Sequence, residues 1–231
     1  MPPCEEASDH LATSRTSSRS LNIALLGYRS NPYSGGQGIY LKHLAKALTD
    51  AGHSVDVISG EPYPELDPGI NLIKLPGLNL FAAAKPFRAL QWRHLLSVTD
   101  LFEWLSFNSG GFPEPYTFGR RLLRYLRQSN KRYDIIHDNQ CLAPALLTLQ
   151  RQNIPVVATI HHPITYDRAI ALAHEDNWGM RLLIKRWHLF LRMQIRVAKR
   201  LKNIVTVSEN SKRDISCDFG VDTARLTVVY N

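Results

Sequence analysis

The sequence predicts an α/β fold, a doubly wound parallel sheet with helices on both faces. Three observations predict it. Short continuous apolar runs alternate with segments whose apolar residues recur at helical spacing, the first run enters such a segment through a glycine-rich turn, and polar residues cluster just after the runs. The chain has 231 residues and is 44% apolar, enough to bury a substantial core.

The first strand is LNIALLG, residues 21–27, apolar throughout as a strand covered on both faces must be. The turn SNPYSGGQG follows, and Leu41, Leu44, Ala45 and Leu48 then mark a helix that ends at Gly52. SVDVIS, residues 54–59, is the second strand and completes a right-handed βαβ unit. Strands over 70–75, 133–138, 155–160 and 203–208 alternate with helices over 118–128, 143–151, 179–202 and 211–219, and LTVVYN follows the last helix. Residues 76–115 break the rhythm: they are aromatic and contain Pro and Gly, so they read as an inserted helix-and-loop region beside the sheet. Residues 1–20 read as a disordered polar tail, leaving 21–231 as the folded domain.

A formal charge of +8 favours anionic partners without choosing a fold. Cys4, Cys141 and Cys217 are odd in number, far apart and without a C-x-x-C pair, which fits a reducing compartment. The first residues lack the apolar core of a secretory signal, and no later stretch holds a long uncharged run, so the expected location is cytoplasmic. Two basic amphipathic stretches, residues 120–132 and 181–202, are read first as helices with a solvated charged face. The alternative for the second is peripheral contact with an anionic membrane on its cytoplasmic face, because Trp187, Phe190 and Leu191 lie among its charges. Nucleic acid is not expected, since neither a helix-turn-helix pattern nor an RNP-type strand is present.

In an open parallel sheet, ligands collect at the carboxyl ends of strands where strand order reverses. Gly35, Gly36 and Gly38 lie there, at a helix N-terminus where bare backbone amides and the helix dipole suit a phosphate or sugar. A plain flexible turn is the alternative. The pattern is G-G-x-G with Leu41 in place of a third glycine and no G-K-[ST] ending, which disfavours a nicotinamide cofactor and a P-loop. His161 and His162, in ATIHHP, end a buried strand and are candidates for hydrogen bonding to a sugar or for proton exchange; the alternative is that one of the pair merely caps the strand end or faces solvent. Asn139, in HDNQ, is a substrate-binding candidate that is equally suited to capping the next helix. His137 and Cys141 end the neighbouring strand but lack zinc-ligand spacing, so no metal is expected.

The order SGGQGIYLKHLAKALTDAGHSVDVIS, YDIIHDNQ, VVATIHHP, IVTVSENSKRDI, FGVDTARLTVVYN resembles the N-terminal domain of the family 4 retaining glycosyltransferases, over residues 21–231. The resemblance implies one Rossmann-like half of a GT-B fold, with the glycine loop (Gly35, Gly36, Gly38) close to the donor phosphates and the acceptor. It implies that His161 lines the reaction centre, with His162 as an adjacent candidate, while Asn139 stands where the commoner H-x-H form has its second histidine. It further implies a nucleotide-sugar donor as substrate, transfer with retention, no cofactor or metal, and a C-terminal donor-binding domain or partner chain. On that basis the sequence is expected to represent a truncated form, active only with that domain. The alternative is a noncatalytic sugar- or phosphate-binding module.

Overall fold

The computed structural model describes residues 19–230. Seven parallel strands form one sheet: β1 (Asn22–Gly27), β2 (Ser54–Ser59), β3 (Asn71–Lys74), β4 (Ile135–Asn139), β5 (Val156–Thr159), β6 (Asn203–Thr206) and β7 (Leu226–Val228), in the order β3-β2-β1-β4-β5-β6-β7. Every pairing is parallel, with Ile23 opposite both Val55 of β2 and Ile135 of β4. Strand order therefore reverses between β1 and β4, and the crevice belongs at their carboxyl ends.

The period of two along β1 shows how the sheet is covered. Ile23 and Leu25 face α1 (Gly36–Asp50), packing with Leu41, Ala45, Val55 and Val57. Ala24 and Leu26 face the other way into the larger core. Its helical part comes from α4 (Glu114–Gln128), α5 (Pro144–Arg151), α8 (Phe190–Ala198) and α9 (Glu209–Phe219). A sheet buried on both faces is what the unbroken apolar runs require.

Residues 76–115 form a 3-10 turn at Pro86–Arg88, then α2 (Trp92–Leu95) and α3 (Val98–Asn108). Glu103, almost fully buried on α3, bonds Arg121 of α4 and accepts from the Leu78 amide at 2.9 Å. A charge so placed is tolerable only when paired, and this pair pins the insertion to the sheet's helical layer.

Two differences from the sequence expectation matter. The helix expected over 179–202 is two: α7 (Trp178–Trp187) ends at His188 and α8 (Phe190–Ala198) begins two residues later. The break is closed by short bonds, from Leu191 N to His188 O and from Arg192 N to Leu189 O, each 3.1 Å. An unforeseen helix, α6 (Thr165–Ala173), fills the segment after ATIHHP. Of the polar tail, residues 1–18 lie outside the described residues. Ser20 and Arg19 are bonded to the domain, through Ser20 Oγ to Gly52 O at 2.8 Å and Arg19 to Asp134 at 3.5 Å.

Candidate functional site

The three glycines of the first turn do three different things. Gly35 is the N-cap of α1 with φ of 76°, a left-handed conformation that side chains rarely adopt. Gly36 opens the helix, and a Cβ added there would meet nothing within 4 Å. Gly38 is buried, and its Cβ would sit 2.2 Å from Asn31 O, so there it is the chain's own backbone that approaches. Among the described residues no side chain caps this helix, and no acidic residue lies in its first turn, which leaves its positive end available to an anion or a polar ligand. Gly36→Ala is accordingly expected to leave the unfolding midpoint unchanged or slightly raised, and Gly36→Val to weaken ligand binding more than stability. A denaturant titration beside a binding isotherm checks both.

Across the crevice, β4 and β5 deliver a network of polar side chains. Asn139 is 2% exposed, and its Nδ2 donates to Gln37 O in the first turn of α1 at 3.0 Å. A carbonyl can only accept, so the other end of the amide is Oδ1, and His161 Nε2 donates to it at 2.7 Å. Burial, aided by His162, holds the His161 pKa below the ordinary imidazole value. The result is a neutral ring whose proton is on Nε2 and whose Nδ1 carries a lone pair. The Tyr40 ring stands edge-on to it, with centroids 4.7 Å apart.

Gln140 fixes the backbone of the same segment. Its Oε1 accepts from His161 N and its Nε2 donates to His162 O, both at 2.9 Å, which extends the β4–β5 pairing past the end of the sheet. Its own φ is 55°, and that strained turn is held from behind by Gln194 Nε2, 3.2 Å from both Gln140 O and Cys141 O. Beneath, His137 Nε2 and Thr159 Oγ1 are 2.7 Å apart, and Tyr40 OH lies 3.4 Å from the same hydroxyl. Burial, with a smaller push from His161, lowers His137 to about 4, so it too is neutral at pH 7.

Asp138 sits fully buried under this turn, with Oδ2 accepting from Leu142 N at 2.9 Å and Oδ1 without a partner among the described residues. Burial raises its pKa from 3.8 to about 7, partly offset by the Leu142 and Cys141 amides. With the folded value above the unfolded one, its contribution to stability is fully present below 3.8 and is lost as pH rises through about 7. Asp138→Asn imitates the protonated carboxyl and cannot ionise. Its stability relative to the parent is expected to improve by about 2–3 kcal/mol between about pH 5 and about pH 8, read from urea unfolding at each pH. A difference that does not change with pH would show that Asp138 ionises freely in the fold.

Of the residues selected from sequence, Gly35, Gly36, His161 and Asn139 come together around the α1 N-terminus and the end of β5. His162 points elsewhere: it is exposed, with Nε2 3.8 Å from Asp167 Oδ2. Asn139 has both ends of its amide committed to the protein, which makes it a residue that orients His161. Cys141 is buried and donates to Pro115 O at 3.3 Å. Among the described residues, no three His, Cys, Asp or Glu side chains converge in a way that could hold a metal ion, and no helix is long and apolar enough to cross a membrane. Gln140 lies in the HDNQ segment noted from sequence but its role there was not, and Tyr40 was missed. Nothing in their spacing announces partners that lie 21 and 119 residues away.

Residues 34–231 match the profile of Glycosyltransferase Family 4. The MMP alpha-(1->4)-mannosyltransferase of Mycolicibacterium hassiacum is 44% identical over 210 residues, covering 90% of this chain and 51% of the relative. The glycogen synthase of Mycobacterium tuberculosis is 26% identical over 202 residues, covering 85% and 44%. The chain thus spans about half the length of the curated relatives it matches. Among solved structures, the catalytic domain of starch synthase IV from Arabidopsis thaliana, bound to ADP and acarbose, aligns with a TM-score of 0.52 at 14% identity, covering 92% of this chain and 52% of that one. Arabidopsis thaliana UGT89C1, complexed with UDP, aligns with a TM-score of 0.52 at 13% identity, covering 92% and 49%. These show a shared fold, with the sheet forming a Rossmann-like half of the GT-B architecture. Given the matched profile and 44% identity across nine-tenths of its length, the chain belongs to Glycosyltransferase Family 4.

Proposed function

We propose that this chain forms the acceptor-side wall of a glycosyltransferase cleft, in which a sugar passes from a nucleotide-sugar donor to an acceptor with retention of configuration. The observation that carries the reading is His161, held neutral at the switch-point crevice with its Nδ1 lone pair uncommitted and the uncapped end of α1 beside it. A neutral imidazole so oriented accepts a hydrogen bond from a sugar hydroxyl, and the amides of the α1 first turn stabilise phosphate oxygens or a developing negative charge. In this reading amides and cationic side chains balance the diphosphate charge, and no metal is assigned a part. The UDP and ADP held by the two solved neighbours support a nucleoside diphosphate as the leaving group, and the name of the 44% relative makes mannosyl the favoured sugar.

The opposite wall of the cleft is assigned to a second domain, of the kind that makes up the remaining length of the relatives. The test is a chimera joining this chain to the second half of the M. hassiacum mannosyltransferase, assayed for nucleoside diphosphate release from a panel of nucleotide sugars. Release that requires both halves is expected. A folded chimera that binds a nucleotide sugar and never turns it over would sink the transferase reading and favour a binding module.

A further inference from the structure

We propose that the pocket between α6, α7 and α8, lined by Arg168, Lys185 and Arg192, binds a phosphate group, either free or on a lipid headgroup. It lies across the junction of α7 and α8. Lys185, His188, Leu189 and Arg192 fall three, four and seven positions apart and line one wall, and Arg168 and Leu172, one turn apart on α6, line the other, around about 350 Å³.

What points to a ligand is the pairing of the charges. Arg181 on α7 donates to the Leu172 and Glu175 carbonyls, and Arg186 to Ser106 and Ser109, so these guanidinium groups are occupied by the protein. Arg168, Lys185 and Arg192 form no ion pair or side-chain hydrogen bond among the described residues, and no carboxylate lines the pocket. His188 donates Nδ1–H to Ile184 O at 2.8 Å, and its Nε2 has no partner among the same residues. Three cations lining one cavity, two of them (Lys185 and Arg192) solvent-exposed, repel each other, and a phosphate would convert that repulsion into charge-assisted hydrogen bonds. Leu172 and the partly exposed Leu189 add apolar lining. Tyr166, Trp178 and Leu182, exposed on α6 and α7, suit the lipid source of the group.

The proposal is independent of turnover, so it stands or falls apart from the transferase reading. Its test has two arms on the full chain: calorimetric titration with inorganic phosphate, and cosedimentation with phosphatidylglycerol–phosphatidylcholine vesicles against phosphatidylcholine alone. Lys185→Gln with Arg192→Gln, and separately Arg168→Gln, are expected to weaken binding about tenfold or more at an unchanged unfolding midpoint. Arg200→Gln with Lys202→Gln removes as much charge as the first pair from exposed positions outside the pocket, and is expected to have little effect. A phosphate isotherm identifies free phosphate as sufficient, and binding to anionic vesicles alone identifies the headgroup. Absence of binding in both arms, or equal weakening by the control pair, overturns the proposal.

Discussion

Gly38→Ala is expected to destabilise the fold by about 3–5 kcal/mol, although in an ordinary helix the same change would stabilise it by about 1 kcal/mol. The new Cβ would lie 2.2 Å from Asn31 O, 2.7 Å from Ser30 C and 2.8 Å from Asn31 C. All three are backbone atoms, and this backbone is held on several sides. Ser30 N donates to Pro62 O at 2.9 Å, Ser59 Oγ lies 3.1 Å from Ser30 Oγ, and Asn31 Oδ1 accepts from Tyr33 N at 2.8 Å. Neither the loop nor α1 can retreat without opening the small core formed by Leu25, Leu41, Ala45 and Val57. Urea unfolding of Gly38→Ala beside Gly36→Ala decides the matter, because the second has open space around its Cβ. A loss below about 1 kcal/mol for Gly38→Ala would mean that the turn gives way easily.

That contrast marks how far the sequence is legible. Strands β1, β2, β4 and β5 follow from apolar runs because a sheet covered on both faces demands them, and the crevice follows from the positions of those strands. The reason for each glycine does not follow. A close approach by a ligand and a close approach by the chain's own loop leave the same residue in the sequence, and Gly38 turns out to be the second case. The break between α7 and α8 was hidden for a related reason: apolar residues continue through Trp187, Phe190 and Leu191 without Gly or Pro to mark a stop. Helix α6 was missed because none of its residues is buried, so no core stripe betrays it. In the site, His161 was visible as a polar residue ending a buried strand. The hydrogen bonds that set its tautomer were not, since they join β5 to β4 and α1 across long stretches of chain.

Those bonds yield the second large effect. In a two-domain form that turns over, His161→Ala is expected to reduce kcat/KM by about 10²–10³-fold, the range found when a preorganised polar contact at a reacting centre is removed. Both ends of the Asn139 amide bond to the protein, so Asn139→Ala acts by freeing the imidazole to rotate and exchange tautomers, and a smaller loss of about tenfold is expected. The two changes act on one ring, and the double variant should be scarcely worse than His161→Ala alone. Asn139→Asp separates positioning from mere packing. A carboxylate facing Nε2 favours the imidazolium, which raises the His161 pKa that burial now holds down. Turnover that depends on a neutral Nδ1 would then fail on the acid side at a higher pH than in the parent. An acid limb that stays in place in Asn139→Asp, with losses that simply add in the double variant, would show that His161 works without the proton arrangement drawn from Asn139.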